Sequence, residues 1–243
     1  MAEKTPSAAS ASPPADAGGR TACYFWLHVL GCAVGFFEAA VVIYLRELYY
    51  PDGFRFPLAL ASMKIGAVEV AREFASIVLL AAAARLAGRF FLERFAAFAL
   101  LFGSWDLWYY VFLKLVLDWP DSLATADILF LIPVPWIGPV WAPCVIALSL
   151  VAAGSLVYLT PSRPWHFSRR DWTILSAGGL IVIVSMTLGW RVVPEGLMPE
   201  PFPVWIFWGG WVIGIARFAQ IVRRTSSHGR QTDPPSVASK GRD

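Results

Sequence analysis

Charge is scarce in this chain. Asp, Glu, Lys and Arg make up 15% of its 243 residues, against roughly 25% in a soluble domain. Much of that charge lies at the two ends. Residues 1–20 hold Glu3, Lys4, Asp16 and Arg20, and 223–243 hold seven more, which leaves 26 charges for the 202 residues between. So little charge excludes a soluble globular fold, a nucleic-acid binder and a disordered chain. What is abundant is apolar surface: 57% hydrophobic residues and a mean hydropathy of +0.58. The composition is that of a multi-spanning membrane protein.

Cysteine and histidine are also rare. Cys23 and Cys32 lie in the first apolar stretch and Cys144 in a later one, with no CxxC pair, so neither a disulfide framework nor a zinc site is expected. Arg20 stands where a lipoprotein cleavage signal needs an aliphatic residue. The first apolar stretch is too long for a signal-peptide core, and no small-residue cleavage site follows it, so it is expected to remain as an anchor. Neither GxxxxGK[ST] nor a GxGxxG after a strand is present, and no GxSxG elbow. ATP-driven and serine-hydrolase chemistry are therefore not expected.

The remaining sequence divides into six stretches of about the 20 residues that cross ~30 Å of hydrocarbon: Ala22–Leu45, Leu60–Ala84, Phe91–Leu115, Ile128–Tyr158, Trp172–Val193 and Phe202–Val222. The fourth is over-long and contains Pro133, Pro135, Pro139 and Pro143. It reads as a proline-broken segment over 128–139 followed by a regular span from about Val140. Residues 1–20 and 225–243, rich in Ala, Ser, Pro and Gly or in basic residues, are expected to be disordered tails flanking one membrane domain over 21–224. With the N-terminus inside, 14 of the 20 basic residues fall on the cytoplasmic side, among them Arg85, Arg89, Arg94, Arg169, Arg170, Arg223 and Arg224. Arg46, Arg55, Lys64, Lys114 and Arg191 fall outside, and Arg72 lies within a span. Both termini are thus expected in the cytoplasm. Trp119, Trp136, Trp141, Trp190, Trp205 and Trp208 cluster near the outer ends, as an interfacial belt would.

Ionisable residues inside spans are costly in hydrocarbon and must face protein or water. In the first span His28, Gly31, Gly35, Glu38, Val42 and Arg46 share one helical face. Gly31 and Gly35 form a GxxxG pair on it, suited to close helix packing. The second span carries Ser62, Gly66, Glu69, Arg72, Glu73 and Ser76, with Glu69 and Arg72 spaced to pair. The third carries Gly103, Asp106, Tyr110 and Lys114. At 1.5 Å per residue, Glu38 lies about 10 Å and Glu69 and Asp106 about 13 Å below the outer ends of their helices, with Arg72 and Glu73 about one turn deeper. Carboxylates on three consecutive helices therefore reach a similar level.

Two readings of that convergence stay open. It is either a structural ion network that locks the bundle, or a polar cavity in which Glu38, Glu69, Glu73 and Asp106 bind a proton, a cation or a small solute with Arg72 as counter-charge. A transition-metal or haem site is disfavoured because His28 alone among the histidines lies in a span, about 15 Å along the helix from Glu38. An all-oxygen cation site stays open, and no cofactor is called for. The prolines near 133–143 fit either a loop packed on the outer face or a broken helix lining a site. Asp127 is placed to cap the turn that follows it.

The blocks Gly35-Phe-Phe-Glu-Ala-Ala-Val-Val-Ile-Tyr-Leu-Arg46, Tyr49-Tyr-Pro-Asp-Gly-Phe-Arg-Phe-Pro57, Glu69-Val-Ala-Arg-Glu73, Trp105-Asp-Leu-Trp-Tyr-Tyr110 and Leu129-Phe-Leu-Ile-Pro-Val-Pro-Trp-Ile-Gly-Pro-Val-Trp-Ala-Pro143 resemble a family of uncharacterised bacterial multi-spanning integral membrane proteins. The resemblance covers roughly residues 31–150. It implies a bacterial cell-membrane location and carries no activity with it. The expectation is therefore an all-α bundle of six transmembrane helices embedded in membrane lipid, with nucleic acid given no role. Its leading function is a small transporter or proton- or cation-binding protein whose site opens to the outer face. The alternatives are a membrane-embedded enzyme acting on a lipid or isoprenoid, and a non-catalytic assembly or anchoring partner.

Overall fold

The structure is a computed structural model and describes residues 17–51, 53–54, 56, 62–191, 195 and 200–231. Helix dominates: α1 (Ala17–Tyr49), α2 (Met63–Ala87), α3 (Phe91–Leu117), α4 (Trp141–Leu159), α5 (Arg169–Thr187) and α6 (Val204–Gln231). Four of these are long and apolar enough to cross a membrane, over Gly18–Tyr49, Phe91–Leu117, Trp141–Leu159 and Val204–Ser226, as befits a membrane protein. The other two carry more charge. Helix α2 includes Lys64, Glu69, Arg72, Glu73 and Arg85, and α5 is short and opens on Arg169-Arg170-Asp171.

Two expectations are corrected. The helices reach into the stretches expected to be disordered, α1 starting at Ala17 and α6 running to Gln231; the rest of those tails lies outside the described residues. The proline-broken segment is not helical. It is a hairpin in which β1 (Ala126–Phe130) pairs antiparallel with β2 (Trp136–Pro139), with Ile128 opposite Ile137. Pro133 and Pro135 fall in the turn and Pro139 at the end of β2, where an absent N–H breaks no ladder. Pro143 sits in the first turn of α4, where helices tolerate proline.

The six helices run alternately up and down, so α1 ends, and α2 and α4 begin, at the end that carries the hairpin. Close packing comes from small residues at the crossings. A Cβ on Gly31 would stand 2.6 Å from Ser104 Cβ, and one on Gly35 2.8 Å from Trp108 Cβ, so the GxxxG pair of α1 does seat this helix on α3. Gly103 does the same for α3 against α4, 2.5 Å from the carbonyl oxygen of Ala147, and Gly210 for α6 against α5, 2.7 Å from that of Gly178.

Charge fastens α5 to α6. Asp171 is fully buried, forms a capping box with Ser168, and pairs with Arg217 at 2.5 Å and Arg224 at 2.9 Å. Burial opposes its ionised form, but the hydrogen bonds from Ser168 and the two guanidiniums outweigh it and hold the carboxyl well below the usual range. Stability from a carboxyl so depressed is whole at neutral pH and drains away as pH falls through and below the ordinary carboxylate range.

Two outcomes follow. Gly103→Leu should cost about 1–3 kcal/mol by overpacking, whereas Gly66→Ala, with nothing within 4 Å of its added Cβ, should be neutral or slightly stabilising. Thermal unfolding in detergent distinguishes them, and equal effects would contradict these helix contacts. Between about pH 7 and 3, Asp171→Asn should show a flatter loss of stability than the parent; an unchanged acid limb would remove Asp171 from this role.

Candidate functional site

All five residues singled out by the sequence line one cavity of about 1190 Å³. At the hairpin end its wall is polar: Glu38 and Arg46 from α1, Glu69, Arg72 and Glu73 from α2, Asp106 from α3 and Asp127 from β1. Towards the opposite end the wall is apolar and aromatic, with Phe95 and Phe102 of α3, Trp172 of α5 and Phe218 of α6. The space thus runs between α2, α3 and α4 on one side and the α5–α6 pair on the other. The hairpin closes it with Ile128, Leu129, Phe130 and Leu131.

Inside this cavity the charges have unequal duties. Arg72 donates through Nε and Nη2 to Glu69 Oε2 at 2.9 and 2.8 Å, and its Nη1 pairs with Glu38. Those three residues form the locked network that is one of the two readings above. Glu73 does not join them. Its Oε2 accepts the backbone N–H of Leu131 at 2.8 Å, tying the hairpin turn to α2. Glu73 lies ten residues into α2, about 15 Å along its axis, so the hairpin dips well into the bundle. Non-helical backbone at such depth needs a partner of this kind.

Asp127 does not cap a turn. It lies in β1 at 2% exposure, accepts from Arg46 Nη2 at 3.2 Å and from the Tyr110 hydroxyl at 3.3 Å. Arg46, expected as an outer-loop charge, is 6% exposed. Its guanidinium lies 4.2 Å from the Phe54 ring centroid and 3.7 Å from that of Trp119. Trp119 is correspondingly a buried ring rather than part of an interfacial belt. Arg46, Asp127 and Tyr110 are the residues that sequence reasoning missed. The signal for Arg46 was already present, because it shares the helical face of Glu38.

Asp106 differs from every other carboxylate in the cavity. It makes no hydrogen bond or ion pair with any described residue, and the charged groups that act on it, Asp127 and Glu38, are themselves acids. His28 is occupied elsewhere, sharing a hydrogen bond with Ser104 Oγ at 2.8 Å. Among the described residues no group of His, Cys, Asp and Glu is arranged to hold a metal ion. No family model matches the chain, and no curated protein or solved structure matches it.

The division of labour is testable by stability. Asp127→Asn strands Arg46 in the core and should cost about 3–5 kcal/mol. Asp106→Asn breaks no contact and should leave the unfolding temperature unchanged or raise it. If Asp106→Asn is the more damaging of the two, the assignment of Asp127 to structure and Asp106 to the cavity is wrong.

Proposed function

We propose that this chain is a six-span protein of the bacterial cell membrane, with both termini in the cytoplasm and the hairpin end outward. In this reading it takes one lipid-class amphiphile, a phospholipid, glycolipid or isoprenoid, into the cavity between its helices. The observation that supports this is the amphipathic form of the cavity, polar at one end and lined by aromatic and aliphatic groups along the rest. A proton or a bare cation needs no space of about 1190 Å³, and a largely apolar wall suits a hydrocarbon tail. Helix α2 packs chiefly on α3, which leaves its other flank as the side from which a lipid reaches the space.

A second reading, proton- or cation-linked transport, rests on Asp106. An unpaired carboxylate in a low-dielectric wall is relieved by a proton or a cation, and the same group is the one carboxylate in the cavity at liberty to act as a general acid or base. In the proposed function Asp106 is therefore the residue that meets the polar end of the ligand, while Glu38, Glu69, Arg72 and Glu73 hold the walls in place.

The test is lipid retention. Native mass spectrometry of the purified chain should show a bound lipid that survives detergent exchange. Gly179→Trp should abolish it, because Gly179 lines the cavity and has nothing within 4 Å of an added Cβ, so a bulky side chain starts from open space. The unfolding temperature should not fall. A folded parent protein that never carries a lipid, or a Gly179→Trp protein that keeps it, overturns the proposal.

A further inference from the structure

Charge is unbalanced in the wall of the cavity, and the imbalance is sharpest at one residue. Among the described residues the ionisable side chains that line it are Glu38, Glu69, Glu73, Asp106 and Asp127 against Arg46 and Arg72. Arg46 is paired with Asp127, and Arg72 is shared between Glu38 and Glu69. Glu73 has the backbone N–H of Leu131 and no ion pair. Asp106 has neither. Its carboxylate is open to the space: the residue lines the cavity and is only partly buried, and the unpaired polar atoms sealed from solvent in the described residues are all nitrogens. The charged groups that act on it, Asp127 and Glu38, deepen the negative field around it.

The stripe of α3 that carries Asp106 is otherwise aromatic and aliphatic. Phe95, Ala99, Phe102, Asp106 and Tyr109 follow one another at three- or four-residue spacing, share one helical face and all line the cavity. Phe102 and Tyr109 stand about one turn to either side of the carboxylate, and Phe95 lies about 16 Å along the helix from it. Aromatic faces attract ammonium groups, and a carboxylate between two rings does so more strongly. Three kinds of headgroup can be compared at this point. An anionic one meets an excess of carboxylates and finds both guanidiniums already held by acids. An uncharged one leaves Asp106 without a counter-charge in an apolar wall, which is costly. A positively charged one supplies that counter-charge, while its hydrocarbon follows the stripe from Phe102 to Phe95. A bare metal ion would leave that apolar length empty, and among the described residues no set of His, Cys, Asp and Glu is arranged to hold one.

We infer that the amphiphile of this cavity is a cationic lipid, whose head is net positive through an ammonium nitrogen seated at Asp106 between Phe102 and Tyr109, with its hydrocarbon running past Phe95. This rests on the lipid-binding function proposed above and adds the class of headgroup.

The experiment is a competition on the full-length protein in detergent, read by native mass spectrometry. The probes are dioleoyl-trimethylammonium-propane, dioleoylglycerol and dioleoylphosphatidylglycerol, which share their chains and differ in head charge. The trimethylammonium lipid should be retained at least about tenfold over each of the others, the ratio expected of one desolvated contact between a cation and a carboxylate flanked by rings. Asp106→Asn should remove most of that preference while leaving the retention of dioleoylglycerol and the unfolding temperature as in the parent, and Asp106→Glu, which keeps the charge, should preserve it. A role for Asp106 in stability alone would move retention of all three lipids together. Equal retention of the three by the parent, or preference for the neutral or anionic one, overturns the headgroup assignment while leaving lipid binding intact. An Asp106→Asn protein with the full preference, or an Asp106→Glu protein that loses it as completely as Asp106→Asn, does the same. Retention of none of them defeats the proposed function itself.

Discussion

Everything at the polar end of this protein depends on keeping a β-hairpin inside a helix bundle. Its backbone groups are dear to bury unless they find partners, and its position is fixed by two carboxylates. Glu73 of α2 accepts the N–H of Leu131 at the turn. Asp127, within β1, is held by Arg46 of α1 and Tyr110 of α3. Three helices therefore hold the hairpin, and the hairpin in turn forms the wall that closes the cavity. Were either carboxyl group removed, a buried donor would lose its partner and the wall would loosen.

That constraint explains why so much charge sits in so apolar a bundle while so little of it is unpaired. Arg72 binds Glu38 and Glu69 and so joins α1 to α2, while Arg46, packed against the Phe54 and Trp119 rings, joins α1 to the hairpin through Asp127. Once those roles are assigned, Asp106 is left over. A carboxylate that holds no neighbour by hydrogen bond or ion pair and sits in a costly position is the one left to meet a ligand under the proposed function. The contrast between Asp106 and Asp127, both acids in the same cavity, comes entirely from partners supplied by other elements.

Much of the bundle could be read from the chain, because it follows from local periodicity. The α1 face running from His28 through Glu38 to Arg46, the Gly31–Gly35 contact and the Glu69–Arg72 pair are all set by three- and four-residue spacing. The hairpin was not legible in the same way. Asp127-Ile-Leu-Phe-Leu-Ile is a continuous apolar run, which reads equally as buried helix or buried strand, and the pairing of Ile128 with Ile137 is a non-local fact that no local rule supplies. The role of Asp127 was hidden with it. Arg46 was hidden for another reason: counted among loop charges for topology, it instead lies at the inner face of the helix end, against the Phe54 ring from the stretch just after α1 and the Trp119 ring from a distant segment. That Arg72 pairs with two acids, and so is not available to Asp106, likewise depends on how α1 docks.

The central claim is that the space between α2, α3 and α4 and the α5–α6 pair holds one amphiphile with its polar end at Asp106. A high-resolution cryo-electron microscopy map of the protein extracted with its native lipid tests this most directly. The account predicts continuous elongated density beginning beside Asp106 and the hairpin and running past Phe95 towards Phe218. A cavity holding only ordered water, or one collapsed with α5 packed against α2 and Asp106 paired to a cation-bearing side chain, would contradict it.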